Sequence, residues 1–68
     1  MDIIIETELE EDGRWIAEVA GLAGVMAYGV TRDEAIARVE ALALRVMAER
    51  IEHGEQPAKP ISITFAAA

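Results

Sequence analysis

The chain has 68 residues, which is enough for one small domain spanning residues 1–68. It contains no cysteine, so disulfides and cysteine metal sites are excluded, as is usual for proteins of a reducing cytoplasm. The net charge of −7 disfavours direct binding to nucleic acid or to an anionic membrane, and it favours a basic protein partner.

Apolar residues make up 53% of the chain, yet none of their runs approaches the roughly 20 residues of a membrane span. The N-terminus carries Asp2 where a signal peptide would carry Lys or Arg. We therefore expect a cytoplasmic protein. The apolar excess also predicts a homo-oligomer, because one helix covering one sheet face leaves apolar surface exposed.

The first predicted element is a strand over residues 2–9, in which apolar and polar side chains alternate. Residues 11–13 (EDG) predict a hairpin turn in which Gly13 takes the left-handed conformation. The alternation continues on the return strand, with Trp15 facing inward. The predicted register pairs residues across the hairpin as follows: Leu9 with Trp15, Thr7 with Ala17, Ile5 with Val19 and Glu6 with Glu18.

A loop over residues 21–24 (GLAG) leads to a third predicted strand, residues 25–28, and then to a long helix. Thr31 and Glu34 match a capping box, in which the threonine hydroxyl and the glutamate carboxylate bond reciprocally to backbone N–H groups. The helix is expected to continue to about His53, because Gly54 is a good C-terminal stop.

Pro57 and Pro60 predict a non-helical linker after the helix. Residues 61–65 (ISITF) alternate again and predict a last strand, and residues 66–68 (AAA) predict a frayed tail. The predicted fold class is α+β: an antiparallel three-stranded sheet, one long helix and a further strand.

The apolar side of the predicted helix is wider than a single sheet face requires. Leu44, Met47 and Ile51 form the edge that we expect to lie outside the monomer core, as an oligomer interface. The alternative is that a twisted sheet covers the wider face within one chain.

Catalytic or metal-binding chemistry finds little support in the residue pattern. His53 has no second ligand at metal-binding spacing, and Ser62 has no base near it in sequence. Several carboxylates on one strand face can hold Mg²⁺, but a solvated acidic face or a docking face for a basic partner explains them better. We therefore expect no enzyme activity, no cofactor and no metal. The residues expected to contact a partner are Glu6, Glu8, Glu10, Glu18 and Tyr28.

Three sequence blocks together suggest a known family: residues 13–19 (GRWIAEV), 21–25 (GLAGV) and 29–35 (GVTRDEA). They resemble the HicB-like antitoxin family, whose members typically read D-G-x-W/Y-x-A-x-V/I, a P-x-L-P-G-type loop and G-x-T-x-x-E-A. The resemblance covers essentially the whole chain. It departs from the pattern at Ala20 and Ala23, which stand where prolines are common.

The resemblance implies a partial ribonuclease H-like fold and a non-enzymatic member. It implies that the protein binds a small basic HicA-type toxin, an mRNA-cleaving ribonuclease, and occludes the active surface of that toxin. Many members carry a C-terminal DNA-binding domain. Since this sequence stops at Ala68, we expect a short member that does not bind DNA directly.

Two alternatives to an antitoxin remain open from the sequence. The chain could be an orphan HicB-like binding module without a toxin partner, or a metal-dependent ribonuclease. A neighbouring reading frame for a small basic protein would favour the antitoxin, and RNA cleavage by the pure protein would favour the ribonuclease.

Overall fold

A computed structural model describes residues 1–54 and 61–68, which form a four-stranded sheet with one helix packed against it. The elements follow the order β1 (Asp2–Leu9), β2 (Trp15–Val19), β3 (Met26–Gly29), α1 (Arg32–Glu52) and β4 (Thr64–Ala67). The predicted α+β class and the β-β-β-α-β order are therefore confirmed. The predicted linker around Pro57 and Pro60 lies outside the described residues.

The β1–β2 hairpin has the predicted antiparallel register, including the Glu6–Glu18 pair and the Leu9–Trp15 pair. Its turn closes because Gly13 takes a φ of 89° and donates its N–H to Glu10 O over 3.0 Å. The Glu10 N–H in turn donates to Arg14 O over 2.7 Å. Strand alternation and turn geometry specify the same register, which explains why the sequence predicts it.

The helix begins where the sequence predicts. The Thr31 hydroxyl accepts a hydrogen bond of 3.1 Å from the N–H of Glu34, two residues inside the helix start. The reciprocal bond differs from the prediction, because the Glu34 carboxylate accepts from Val30 N at 3.1 Å and not from Thr31 N. At the other end, the N–H of Gly54 donates to Ile51 O over 3.1 Å, with a φ of 72° at the glycine.

The predicted three-stranded antiparallel sheet is wrong in its strand count and in its pairing. The strand order is β3-β2-β1-β4, and β4 lies parallel to β1, so the sheet is mixed and has four strands. The last strand also starts later than predicted, at Thr64, and includes Ala66 and Ala67 of the expected frayed tail. The free edge of β1 explains the shift, since Ala68 N donates to Ile5 O over 2.8 Å.

The core lies between α1 and the inner sheet face. Its buried apolar residues are Ile3, Ile5, Ala17, Val19, Val25, Ala35, Val39, Ala43 and Met47. Trp15 and Phe65 are half-buried against this core. Met47, expected outside the monomer core, is only 2% exposed, because it follows Ala43 by four residues on the buried side of the helix.

Strand alternation predicts that Leu9 points into the core, but the residue is 56% exposed. The side chain of Arg32, the first helical residue, donates to the Thr7 hydroxyl over 3.1 Å. Leu9 pairs with Trp15, which pairs with Gly29. Gly29 lies directly against the first helical turn at Ala35. The helix therefore starts over the β3 end of this row, and Leu9 lies at the uncovered β1 end. Alternation predicts the correct strand side, but it does not specify how far the covering helix reaches.

Candidate protein-binding face

The side of the sheet opposite α1 is the surface on which the predicted contact residues meet. Side chains of alternate strand residues point to this side, because the residues between them face the helix. We call this surface the outer sheet face. Its central residues are Ile4, Glu6 and Glu8 of β1, Ile16 and Glu18 of β2, and Met26 and Tyr28 of β3.

The strand register orders these residues into rows across the sheet. One row runs from Glu8 through Ile16 to Tyr28. The other runs from Glu6 through Glu18 to Met26. Each row therefore combines acidic and apolar side chains, so the face can offer buried contact area and negative charge together.

Large apolar side chains lie open on this face. Ile4 is 40% exposed, and Met26 and Tyr28 are each 39% exposed. Ile16 lies half-buried in the middle of its row, between Glu8 and Tyr28. Scattered exposed apolar residues are ordinary, but apolar residues adjacent on one sheet face, with carboxylates among them, are typical of an interaction surface.

Two adjoining depressions gather the predicted contact residues. A hollow of about 420 Å³ at the hairpin end is lined by residues that include Glu8, Glu10 and Tyr28. A smaller one of about 200 Å³ is lined by residues that include Glu6, Glu8 and Glu18. Glu8 belongs to both, so the structure brings all five predicted contact residues onto one connected surface.

Arg14 connects the hairpin turn to this surface. Its guanidinium carbon lies 4.4 Å from the centre of the Tyr28 ring, a cation–π geometry, and its Nε lies 2.7 Å from the Asp12 carboxylate. Hydrogen bonds from the backbone N–H and from the side chain of Arg14 hold the pKa of Asp12 below its usual range. Arg14 thus lies over one side of the Tyr28 ring within a single chain.

The sequence identified the acidic residues of this face and Tyr28, but not the other apolar residues, Ile4, Ile16 and Met26. Strand alternation places Ile4 and Ile16 on the outer side of the sheet, and this pattern is the sequence signal that indicates them. Met26 could not be placed next to Glu18 from sequence, because the register of β3 depends on a loop of less regular geometry. The Arg14–Tyr28 contact depends on the same register.

Two of the three predicted oligomer residues lie on the opposite side of the molecule from the outer sheet face. Leu44 and Ile51 are exposed on the helix at 47% and 45%, respectively. Met47 does not share their exposure, as described above. A contact made through Leu44 and Ile51 would leave the outer sheet face open.

The described residues include no group of three His, Cys, Asp or Glu side chains that could hold a metal ion. Nor do residues 1–54 and 61–68 contain a buried polar or charged side chain. His53 and Ser62 are both exposed and lie outside the outer sheet face.

Within residues 1–54 and 61–68, the structure has no helix with the length and apolar character needed to cross a membrane. Comparisons of the chain with protein-family models, with curated proteins and with solved structures found no match.

Proposed function

We propose that this protein is an antitoxin-like binding protein of the HicB type, which neutralises a small basic mRNA-cleaving toxin by covering its active surface. The observation that carries the proposal is the outer sheet face, where Glu6, Glu8 and Glu18 surround exposed apolar side chains. The sequence blocks around the hairpin and the helix start support the family assignment. The finer description of the sheet as partially ribonuclease H-like is part of the same proposal.

Charge supports a basic partner. A chain of net charge −7 attracts a cationic protein at long range, and carboxylates placed on one face orient the encounter. A ribonuclease that binds RNA presents Lys and Arg where phosphates dock. An acidic face can therefore occupy the position of the RNA.

The apolar centre supports stable binding after the encounter. Tyr28 is the kind of residue that anchors interfaces, and Arg14 lies over one side of its ring. Ile4, Ile16 and Met26 add apolar area that a partner can bury. We expect carboxylates mainly to determine the association rate and Tyr28 mainly to determine the dissociation rate.

The first experiment is co-expression with the product of an adjacent reading frame for a small basic protein, followed by size-exclusion chromatography with light scattering. We expect a mixed complex of defined mass and suppressed toxicity in cells. Absence of a complex would remove the antitoxin proposal and leave an orphan binding module.

The second experiment locates the contact. Glu8→Lys should slow association by about tenfold or more at low salt, because it reverses charge in the shared wall of both depressions. Glu49→Lys is the matched control, since it makes the same change of net charge on an exposed position of the helix. Equal slowing by both variants would show that only net charge matters and that the outer sheet face is not the contact.

The Glu8→Lys, Glu10→Lys double variant tests the predicted acidic set further. Glu10 is half-buried and its backbone N–H is part of the hairpin turn, so folding of the variant is checked by circular dichroism. We expect association slower than for Glu8→Lys alone. An unchanged association rate at low salt would exclude Glu10 and Glu8 from the encounter.

A further inference from the structure

The helix α1 has two apolar stripes, and the sheet covers one of them. The buried stripe consists of Ala35, Val39, Ala43 and Met47. The other, which we call the outer stripe, consists of Ala37, Ala41, Leu44, Ala48 and Ile51, and all five are exposed. A helix with one face in water normally carries polar residues on that face. Packing within a single chain therefore does not explain why the outer stripe is apolar.

The spacing of the outer stripe is that of a coiled-coil seam. Its members follow one another at intervals of four, three, four and three residues, which is the a/d repeat of a heptad. Leu44 and Ile51 supply apolar area, and the alanines between them allow two helix backbones to approach closely. A second helix with the same repeat can interlock with this seam.

The flanks of the stripe carry opposite charges. Asp33 and Glu40, seven residues apart, lie along one side, and Arg38 and Arg45 lie along the other, which ends at Glu52. Asp33, Arg38 and Arg45 are exposed, and Glu40 is half-buried. In a parallel pair each flank meets the opposite flank of the other helix, whereas in an antiparallel pair each flank meets itself.

We propose that a second copy of this chain docks on the outer stripe, with the two α1 helices parallel about a two-fold axis. Asp33 of each copy then faces Arg38 of the other, and Glu40 faces Arg45. An antiparallel pair centred on Leu44 would instead bring Arg45 against Arg45. It would keep only Arg38 with Glu52 as an attractive pair. The charge pattern thus favours a second copy, which carries the same stripe and flanks, and favours the parallel direction over the antiparallel one.

The dimer leaves both outer sheet faces free, because the stripe lies on the far side of the helix from the sheet. Arg38 already bonds within its own chain, to Tyr28 O at 3.0 Å and to Glu34 at 3.3 Å, and its side chain is 61% exposed. A guanidinium has five N–H donors, so these contacts leave donors for the second copy. Two partner molecules can therefore bind one dimer.

Light scattering tests the existence of the dimer. The wild-type protein should have the mass of two chains, and Leu44→Lys should have the mass of one while keeping its helical circular dichroism. Val30→Lys is the matched control: Val30 is 76% exposed and lies off the stripe, so this variant should stay dimeric. A monomeric wild type, or a dimeric Leu44→Lys variant, would overturn the proposal.

Cysteine crosslinking tests the direction, since the chain has no cysteine of its own. In a parallel pair every seam residue faces the same residue of the second chain. Ala37→Cys and Ala48→Cys should therefore each form a disulfide-linked dimer on mild oxidation. Glu49→Cys, exposed and off the seam, is the control and should not. Crosslinking of Ala37→Cys only when mixed with Ile51→Cys would show antiparallel helices and contradict the proposed arrangement.

Discussion

Gly29 ends β3 just before the helix, at a point where the helix backbone leaves no space for a side chain. A Cβ atom there would lie 2.5 Å from Ala35 N and 3.0 Å from its Cα. Those atoms are backbone, so they cannot move aside as a flexible side chain can. Gly24 is required for a different reason, because its φ is 82° and nothing lies within 4 Å of an added Cβ.

We predict that Gly29→Ala destabilises the protein by about 1–3 kcal/mol, as overpacking against fixed atoms does. Gly24→Ala should cost about 1 kcal/mol from backbone conformation alone. Urea unfolding of the two variants measures both costs. A smaller loss for Gly29→Ala than for Gly24→Ala would mean that the helix start shifts readily away from β3.

Asp12 provides a prediction about pH. Its pKa is lowered first by the Arg14 backbone N–H and then by the Arg14 side chain. A carboxyl whose pKa is depressed by folding stabilises the fold above its unfolded pKa and loses that contribution as the pH falls through the folded pKa. The Asp12 side chain is about half exposed, so solvent screens the interaction and its contribution to stability is small.

In a pH titration followed by NMR, Asp12 should titrate below an ordinary exposed aspartate. Arg14→Met should return its pKa only part of the way, because the backbone N–H of residue 14 remains a donor. Full return to the ordinary value would show that the side chain and not the backbone bond causes the shift.

The apolar residues of the helix lie in two different environments. The residues spaced four apart from Ala35 to Met47 bury against the sheet, and the outer stripe stays exposed within one chain. Met47 and Leu44 are three residues apart on one helix, yet one is 2% and the other 47% exposed. An apolar side chain therefore stabilises the folded monomer at Met47 but contributes little to it at Leu44.

We predict that Met47→Ala lowers the free energy of unfolding by about 2–5 kcal/mol, the range for truncating a buried Met, Leu or Ile. Leu44→Ala should change it by about 0.5 kcal/mol or less at dilutions where the chain is monomeric. Thermal or urea unfolding at low protein concentration measures both values. Similar losses would mean that Leu44 is buried in the monomer after all.

At the scale of the whole molecule, the net charge of −7 opposes compaction. The described residues contain two ion pairs, Asp12–Arg14 and Glu34–Arg38. Both are largely exposed, so they offset little of the repulsion between the acidic residues. The Glu6–Glu18 pair places like charges directly opposite each other in the hairpin, which adds to the cost.

We predict that the urea midpoint of the monomer rises as salt is raised from about 0.01 M to about 0.1 M, because the Debye length falls from about 30 Å to about 10 Å. The Glu6→Gln, Glu18→Gln variant, whose net charge is −7 + 2 = −5, should show a smaller rise and a higher midpoint at low salt. A midpoint that falls with salt in the wild type would show that attractive pairs dominate.

Short-range features of this fold follow from the sequence by itself. The alternation on both sides of Gly13 determines the hairpin register, because turn and strand pattern agree within a few residues. Thr31 and Gly54 determine the helix ends, because capping bonds join residues that are neighbours in the chain. The acidic members of the outer sheet face follow from the same alternation.

Only the tertiary structure decided the remaining features, because they depend on residues distant in sequence. β4 pairs with β1 in parallel, through bonds such as Ala68 N to Ile5 O, and no local period encodes which sheet edge receives a last strand. The reach and rotation of the helix over the sheet bury Met47 and expose Leu9. Helical periodicity defines an apolar face, but where its buried part ends depends on the width and twist of the sheet that covers it.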